Sequence, residues 1–268
     1  MDRPSWATDD VDLDRPSIAR IYDFFLGGSH NFAVDRAMAE QLLKVAPDMP
    51  DVMRANRSFL RRAVRFMMSS GITQFLDLGS GIPTVGNVHE VALAMNPQAR
   101  VVYVDIDPVA VAHSRAMLQG REANTAIIKA DLRDPEAILS DPETQRLLDM
   151  DRPIGLLIVS VLHFIQDEDD PQGATARLRD AMPPGSMLAI THAVRDARAE
   201  EQQVVQMYRR TGTEPVARTE AEIRELFGEF QPVEPGLVFL PLWRPDSPED
   251  VEERPERFVA YAGVGQKP

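Results

Sequence analysis

Residues 74–83 constrain the fold more strongly than any other part of this chain. Their sequence, Gln-Phe-Leu-Asp-Leu-Gly-Ser-Gly-Ile-Pro, predicts a short buried strand that runs directly into a sharp turn at Gly79 and Gly81. Asp77 lies near the end of that strand. A second apolar stretch, residues 101–107, ends in acid roughly 20–25 residues further along. This combination indicates a nucleotide-type ligand, with turn amides at one end of it and ribose hydroxyls at the other.

Strands and helices are expected to alternate from residue 72 onward. Short apolar segments of this kind are typical of central parallel strands that are covered on both faces. Five such strands are expected, at about residues 74–78, 101–106, 126–130, 155–160 and 186–191. Two further strands are expected near residues 237–240 and 258–263. Three helices are expected ahead of the first strand, at about residues 16–26, 34–45 and 56–70. The pattern predicts an α/β fold with a doubly wound, seven-stranded, mostly parallel sheet and an N-terminal helical cap.

The composition argues against several classes of function. The chain has 268 residues, no cysteine and a net charge of −13. The absence of cysteine rules out disulfides, thiolate metal sites and cysteine nucleophiles. The acidic charge argues against nucleic acid as a partner, because phosphate binding needs a positive surface. No apolar run reaches the roughly 18–20 residues that span a membrane, and residues 1–14 lack the apolar core of a signal peptide. A cytoplasmic protein without a membrane partner is therefore expected.

Two charged clusters allow more than one interpretation. Five arginines lie between residues 54 and 65. They either form a solvated helix face that balances nearby acids, or one of them turns inward to hold a ligand carboxylate. The acidic run at residues 167–170 could attract a divalent ion, but such a run more often forms a solvated loop. No metal site is therefore expected.

The glycine turn resembles the first motif of the class I S-adenosylmethionine-dependent methyltransferases. Asp77, Gly79, Ser80 and Gly81 match that motif, which lies beneath the methionine half of the cofactor. Pro83 is a departure, because the family usually carries a third glycine there. Proline has no amide hydrogen and cannot donate to a ligand. The turn is therefore expected to be rigid.

Three later strand ends match the same family in the same order. By this resemblance, Asp105 binds both ribose hydroxyls, with Ile106 and Asp107 beside it toward the adenine. The resemblance also implies that Asp131 meets the exocyclic amine of adenine and that the backbone amide of Leu132 meets a ring nitrogen. The residues after the fourth strand are implied to face the reactive end of the cofactor; they are Ser160 and Val161. Together these motifs imply the methyltransferase fold over roughly residues 70–265, with S-adenosylmethionine as the cofactor.

The N-terminal part of the chain narrows the resemblance. Residues 19–36, 56–64 and 87–90 are similar to an actinobacterial family of S-adenosylmethionine-dependent methyltransferases once known only as a domain of unknown function. The similarity covers nearly the whole chain and implies cofactor binding, but it supplies no substrate. We therefore expect one structural unit, with an N-terminal helical extension or lid at residues 1–70 and a class I methyltransferase-like domain at residues 71–268.

An aromatic ring, a flexible turn and an amide lie close together in that extension, at Tyr22, Gly27, Gly28 and Asn31. In one interpretation these residues only end a helix, with Tyr22 packed in the core. In the other they form a lid over the cofactor, with Tyr22 and the glycines near the methionine moiety and Arg57 near its carboxylate. All five residues are therefore candidates for cofactor binding.

Methyl transfer from a sulfonium is a direct displacement, so the protein mainly aligns the reactants and, where needed, removes a proton. Histidine is a suitable base because it titrates near neutral pH. His163, just after the fourth strand, is the candidate catalytic residue, and His192 is a weaker one. His89 fits a packing or capping role better, while His30 lies in the expected lid.

Three functions are consistent with the sequence. The favoured one is a methyltransferase that acts on a small-molecule acceptor, because the acidic charge disfavours nucleic acid and the helical cap suggests an enclosed pocket. The second is a sensor or regulatory protein that binds the cofactor without turnover. The third is a dinucleotide oxidoreductase, which is disfavoured because Asp131 and the terminal strand pair fit the methyltransferase pattern better. The acceptor and the oligomeric state do not follow from the sequence.

Overall fold

A central sheet of eight strands organises the part of the chain that the structure describes. This computed structural model covers residues 12–83, 86–197, 199–247, 249 and 253–268. The strands are β1 Gln74–Leu78, β2 Arg100–Asp105, β3 Thr125–Lys129, β4 Gly155–Val159, β5 Met187–Ala193, β6 Gln231–Pro232, β7 Val238–Phe239 and β8 Ala260–Gln266. Their spatial order is β3-β2-β1-β4-β5-β8-β6, with β7 also paired to β8. The first five strands are parallel, whereas β8 runs antiparallel to β5.

Ten α-helices surround this sheet among the described residues. Three precede the first strand: α1 Ile18–Phe25, α2 Ala33–Val45 and α3 Met49–Ser69. Five lie between the parallel strands: α4 Val88–Met95, α5 Pro108–Met117, α6 Pro135–Ser140, α7 Pro142–Leu147 and α8 Pro171–Ala181. The last two are α9 Glu201–Tyr208 and α10 Glu220–Glu225. None of these described helices combines the length and the apolar character that crossing a bilayer requires.

The predicted α/β class, the mostly parallel sheet and the N-terminal helices are confirmed. The sheet has eight strands rather than seven because the strand before the last is divided into β6 and β7, which pair with different parts of β8. A turn closed by the Gly236 amide and the Val233 carbonyl separates the two pieces. Helix α3 begins at Met49, well before the expected start, with Pro50 in its first turn. Residues 1–11 of the segment tested for a signal peptide lie outside the described residues.

Successive side chains of the buried strands point to opposite faces of the sheet, and each face packs against helices to form one layer of the core. In β1, Phe75 faces α3 and α4, whereas Leu76 and Leu78 face the layer formed by α6, α7, α8 and α10. Burying one such side chain contributes roughly 1.5–3 kcal/mol to the free energy of unfolding. Because both faces are covered, most positions of the central strands are apolar. An acid such as Asp77 or Asp105 within this sheet is therefore exceptional.

The order of the strands creates a crevice at one edge of the sheet. From β1 the chain proceeds to β2 and β3 on one side and then returns to β4 and β5 on the other. The segments that follow β1 and β4 consequently diverge, and ligands bind at such switch points in open α/β sheets. A separate apolar cluster joins α1, α2 and α9, through Ile21, Phe25, Met38, Leu42 and Tyr208.

Candidate functional site

A cavity of about 740 Å³ lies at the carboxyl ends of β1, β2, β3 and β4. Most of the residues that the sequence nominates for cofactor binding line it. They are Tyr22, Arg57, Asp77, Gly79, Ser80, Gly81, Asp105, Ile106, Asp107, Asp131, Leu132, Ser160 and Val161. Segments far apart in the chain thus meet at the switch point of the sheet.

The glycine turn supplies space rather than hydrogen-bond donors. The amides of Gly79 and Ser80 both donate to the Val104 carbonyl, at 2.8 and 3.1 Å, and the Gly81 amide donates to an Asp105 carboxylate oxygen at 2.6 Å. The expectation that these turn amides grip the ligand therefore needs correction, because the protein already uses them. Gly79 has φ +68°, and a Cβ there would approach Val161 to 2.5 Å, so only glycine fits.

The start of the helix after the glycine turn is capped by a carboxylate of the same helix. Helix α4 begins seven residues after Gly81, and its own Glu90 accepts hydrogen bonds from the amides of Gly86 and Asn87 at 2.8 and 2.9 Å. A pyrophosphate needs exposed N–H groups at a helix N-terminus. Here a carboxylate already occupies that position. The arrangement disfavours a dinucleotide and is compatible with a ligand that carries positive charge.

Two buried carboxylates give the cavity its electrostatic character. Burial raises the pKa of Asp77 to about 7, with the neighbouring Asp105 acting in the same direction and the Arg57 guanidinium against it. Burial likewise raises the pKa of Asp105 to about 6, although the amides of Asp107 and Gly81 donate to it. Desolvated carboxylates gain free energy when a cation approaches. The site therefore favours a cationic ligand over an anionic one.

The residues around the expected adenosine position differ in how many hydrogen bonds their side chains already make to the protein. Asp105 uses one acceptor position on each oxygen for a backbone amide, and a carboxylate has about four positions in all. Asp107 caps α5 through the amides of Val109 and Ala110, at 2.7 and 3.2 Å. Asp131 is bound by the Arg133 side chain. Ile106 is a large apolar residue left 58% exposed at the cavity wall, which suits contact with a flat aromatic ring.

Of the two interpretations of the basic cluster, the inward-turned arginine agrees with the structure. Arg57 lines the cavity and is only 8% exposed, and its Nε is buried without a hydrogen-bond partner among the described residues. Its one recorded hydrogen bond is a long one, 3.3 Å to the Ile82 carbonyl. Arg54 and Arg65 instead form surface ion pairs with Asp51 and Asp246. Arg57 is thus a buried cation that can receive a carboxylate.

Two segments that the sequence did not nominate also line the cavity. One covers residues 12 and 15–20, and the other covers residues 211–214. Ser17 fixes the first segment, because its hydroxyl donates to Asp107 and its amide donates to Asp35 at 2.9 Å. Arg20 also binds Asp35, with 3.0 Å between Nε and the carboxylate. No local sequence pattern marks these contacts, since they depend on side chains from three different helices.

Gly27, Gly28 and Asn31 do not line this cavity, contrary to expectation. They belong to a loop that folds around Asp23. The Gly28 amide donates to the Asp23 carbonyl at 2.9 Å, and the Asn31 side-chain amide donates to the Asp23 carboxylate at 2.8 Å. A Cβ at Gly28 would lie 2.0 Å from that carboxylate. The structure therefore gives these three residues a role in ending α1, and they lie outside the lining of this cavity.

A second, smaller cavity of about 130 Å³ adjoins the first. The two share five lining residues: Ile18, Tyr22, Asn56, Ser160 and Phe164. Most of the remaining wall is apolar and comes from α3, β5 and α9. We call the two spaces the larger cavity and the apolar cavity.

A chain of hydrogen bonds runs along the boundary between the two cavities. The Ser160 backbone amide donates to the Thr191 hydroxyl at 2.8 Å, and that hydroxyl donates to the side-chain oxygen Oδ1 of Asn56 at 2.7 Å. The Asn56 amide donates to the Tyr22 hydroxyl at 2.9 Å, which donates to the Met53 carbonyl at 3.2 Å. Ser160 has φ +62°, a conformation that costs a non-glycine residue roughly 1–3 kcal/mol and is concentrated at functional sites. The boundary is therefore rigid and polar.

The candidate base His163 lines the apolar cavity and not the larger one. Its Nδ1 is buried without a hydrogen-bond partner among the described residues. His192 lies beside it, with the ring centroids 5.6 Å apart. Because Arg218 can only donate, its 2.8 Å contact makes His192 Nε2 the acceptor, and His192 Nδ1 then donates to the Ala193 carbonyl. His192 is therefore held in its neutral form.

Burial lowers the pKa of His163 well below its usual value and that of His192 to about 4, and the Arg218 charge acts in the same direction on both. A neutral histidine with so low a pKa is a weak base at neutral pH. His163 is thus better suited to positioning a ligand than to removing a proton. Its role as a catalytic residue stays a prediction.

The acidic run at residues 167–170 is engaged in protein contacts. Asp167 binds Arg218, Asp169 binds Arg133, and Asp170 caps α8 through the Gly173 amide at 2.9 Å. Within the described parts of the chain, no three His, Asp or Glu side chains are grouped so that they could hold a metal ion.

The residues of the larger cavity fit S-adenosylmethionine as a ligand. The buried carboxylates suit its positive charge, Arg57 suits its carboxylate, and the uncovered face of Ile106 suits its adenine ring. Ser80 provides a further unpartnered hydroxyl in the cavity wall. Space beside Gly81, where a Cβ would meet nothing within 4 Å, leaves room for the ligand against the main chain.

Comparisons with known proteins agree with this assignment. A family model described as S-adenosyl methyltransferase matches residues 4–268. The crystal structure of a candidate methyltransferase from Thermobifida fusca YX is similar at 43% identity, with a TM-score of 0.91, over 98% of this chain and 99% of that one. A DUF574 family protein from Streptomyces avermitilis MA-4680 is similar at 37% identity, with a TM-score of 0.91, over 96% of this chain and 99% of that one.

A more distant structure supports the fold alone. It is the 1,6-didemethyltoxoflavin-N1-methyltransferase of Burkholderia thailandensis with bound S-adenosylhomocysteine, at 18% identity and a TM-score of 0.50 over 87% of this chain and 88% of that one. Among curated protein sequences, no significant match to this chain was found. The family match extends over almost the whole chain, which therefore belongs to the S-adenosyl methyltransferase family and uses S-adenosylmethionine as its cofactor.

Proposed function

We propose that this chain transfers the methyl group of S-adenosylmethionine to a small-molecule acceptor that enters the apolar cavity. The single observation behind this proposal is that the larger cavity adjoins a small, mostly apolar space across the Tyr22–Asn56–Ser160 boundary. A space of about 130 Å³ admits only a small chemical group. A space of this size favours a small molecule as the acceptor, and the net charge of −13 disfavours nucleic acid.

The roles of the lining residues follow from their charge and position. Asp105 would hold the ribose hydroxyls, and Ile106, Asp131 and Leu132 would surround the adenine. Asp77 would lie close to the positive charge of the methionine half, and Arg57 would bind its carboxylate. Thirteen of the nominated residues line this cavity, which supports these roles. We also propose that the chain divides at residue 70 into an N-terminal helical extension and a class I methyltransferase-like domain.

Bound S-adenosylmethionine supplies an electrophilic methyl group: the acceptor's lone pair forms the new bond to carbon while the carbon–sulfur electron pair moves to sulfur. The chain's own contribution is alignment. Tyr22 and Asn56 hold each other and are fixed to β4 and β5 through Thr191 and Ser160. Ser160 and Val161 close the wall behind the reacting centre. Residues of α1 and α3 line one side of the larger cavity and would limit the access of water to the reacting centre.

Calorimetry with two matched variants tests the cofactor site. Arg57→Ala should weaken S-adenosylmethionine binding by about tenfold to a hundredfold, because a charge-assisted pair is worth roughly 1.5–3 kcal/mol. Arg54→Ala removes a surface arginine from the same helix and should leave the affinity within twofold. Equal affinities for wild type and Arg57→Ala would contradict the assignment of the carboxylate-binding residue.

Turnover is tested by incubating the protein with S-adenosylmethionine and a library of small metabolites. We expect S-adenosylhomocysteine to accumulate with at least one acceptor and a product heavier by one methylene unit to appear in the mass spectrum. A protein that only binds the cofactor would bind S-adenosylmethionine tightly and form no S-adenosylhomocysteine with any acceptor. Binding of NAD instead of S-adenosylmethionine would contradict both a methyltransferase and a protein that only binds this cofactor.

A further inference from the structure

The apolar cavity also carries information about the chemical class of the acceptor. We infer that the acceptor presents an uncharged, apolar group about the size of one six-membered ring to this cavity, with its nucleophilic atom held at the Tyr22–Asn56–Ser160 boundary. This inference rests on the proposed function, because it assigns the second cavity to the acceptor of the same reaction.

The size of the group follows from the volume of the cavity. The space measures about 130 Å³. An apolar protein cavity of roughly 150 Å³ stays free of water and binds benzene. A single ring with one small substituent therefore fits, whereas a second fused ring would have to displace protein atoms. Any larger part of the acceptor would lie in the larger cavity.

The absence of charge on that group follows from the lining. Met49, Val52, Met53, Val204 and Val205 contribute apolar side chains from α3 and α9. Glu201 is the carboxylate among the described lining residues, and it accepts a hydrogen bond from the Asp196 amide at 2.8 Å. An ion placed against the apolar wall would lose its hydration without gaining a partner there, which is strongly unfavourable. An anion would in addition meet the Glu201 carboxylate, and a cation would gain a counter-ion only at Glu201 among the described lining residues, so the lining disfavours charged ring compounds.

The two histidines in the lining, His163 and His192, add no charge to the apolar cavity. The Arg218 contact fixes His192 in its neutral form, and Arg218 itself reaches the Leu162 carbonyl at 3.2 Å and the Asp167 carboxylate at 2.6 Å. His163 lines the same cavity, and its buried Nδ1 has no hydrogen-bond partner among the described residues. A neutral imidazole can exchange a hydrogen bond with a hydroxyl or an amine. His163 therefore adds polarity without charge and serves as a positioning residue for the acceptor.

Ligand-detected fluorine NMR on the complete chain saturated with S-adenosylhomocysteine tests the inference without requiring turnover. The probes are 4-fluorophenol, which is uncharged at pH 7.5, and the anion 4-fluorobenzoate and cation 4-fluorobenzylammonium of similar ring size. Val205→Trp fills the apolar cavity from α9. Gln206→Trp places the same side chain on the exposed surface of that helix and is the matched control.

We expect the complex to bind 4-fluorophenol at least tenfold more tightly than either charged probe. Gln206→Trp should bind it as wild type does, and Val205→Trp at least tenfold more weakly. Calorimetry should give S-adenosylhomocysteine affinities within twofold for all three proteins, which shows that the variants fold. If Val205→Trp loses that affinity, Ala217→Phe blocks the same cavity from another segment and repeats the test.

Equal binding of the charged and uncharged probes, or unchanged 4-fluorophenol binding when the cavity is blocked in a variant that keeps its S-adenosylhomocysteine affinity, would overturn the inference. Failure of the wild-type protein to bind S-adenosylhomocysteine would instead refute the proposed function. The two failures are therefore distinguishable.

Discussion

Single residues determine which ligands the larger cavity accepts. Asp77 and Asp105 lie in strands whose remaining positions are mostly apolar. Burial raises the pKa of both carboxyl groups. A buried carboxylate of this kind is unfavourable for the empty protein and becomes favourable when a cation neutralises it. The glycine-turn amides, which would otherwise attract phosphate, donate to the protein itself. The turn amides are thus occupied and the two carboxylates remain available, so the cavity favours a cationic cofactor.

The affinity for S-adenosylmethionine should increase with pH in the range where Asp77 loses its proton. Since its pKa is about 7, the carboxyl group is mostly neutral at pH 6.0 and mostly ionised at pH 7.5. Only the ionised form attracts the cation, so affinity should rise about five- to tenfold between these pH values. Calorimetric titrations at both pH values measure the change. Asp77→Asn should bind weakly at both and keep only the change of about twofold that Asp105, with a pKa of about 6, can contribute, whereas a flat wild-type profile would show that Asp77 does not face the cofactor's charge.

The two buried histidines should remain neutral at physiological pH. Burial and the Arg218 charge lower the pKa of His163 well below its usual range and that of His192 to about 4. Carbon–proton NMR spectra of the Cε1 groups, assigned with His163→Gln and His192→Gln, should show no titration of either ring between pH 8 and pH 5. A titration midpoint above 6 for His163 would restore it as a general base.

At the scale of elements, the loop that ends α1 can be separated from the cofactor site. Gly28→Ala introduces a Cβ that meets the Asp23 carboxylate, so it should lower the free energy of unfolding by about 1–3 kcal/mol. Binding of S-adenosylmethionine to the folded fraction should change by less than twofold, as calorimetry below the melting temperature would show. A fivefold or larger loss of affinity would support the sequence-based hypothesis that this turn contacts the methionine moiety.

The hydrogen-bond chain at the boundary connects α1, α3, β4 and β5. Thr191→Val deletes the hydroxyl that accepts from Ser160 and donates to Asn56, leaving two buried polar groups unpaired. We expect a loss of about 2–4 kcal/mol in urea-induced unfolding. Thr191→Ser retains the oxygen and should lose less than about 1 kcal/mol. Similar losses for the two variants would mean that the methyl group, and not the hydrogen-bond chain, stabilises this region.

At the scale of the whole molecule, local patterns predicted most of the sheet. Short apolar segments that end in Asp77, Asp105 and Asp131 place the strands and the crevice, because buried parallel strands and glycine turns leave strong signals in the sequence. Helix α3 begins at Met49, earlier than the start near residue 56 that the sequence predicted. Its early turns carry polar residues together with Pro50, which weakens the apolar period there.

The apolar cavity and its boundary could not be predicted, because they arise only from packing. Tyr22, Asn56, Thr191 and Val205 come from four elements that are distant in the chain. The neutral state of His192 likewise depends on Arg218, which follows β5 by a helix and a loop. Neither relation has a periodicity or spacing that a single sequence could show. The apolar cavity therefore has no signal in the sequence, whereas most of the residues nominated for the cofactor line the larger cavity.

A crystal structure of the protein with S-adenosylhomocysteine tests the central claim most directly. The account predicts the adenine against Ile106 and Leu132, the ribose hydroxyls on Asp105, and the carboxylate on Arg57. The sulfur should then point toward the Tyr22–Asn56–Ser160 boundary and the apolar cavity behind it. Density for the ligand outside the larger cavity, or with its sulfur directed away from that boundary, would contradict the account.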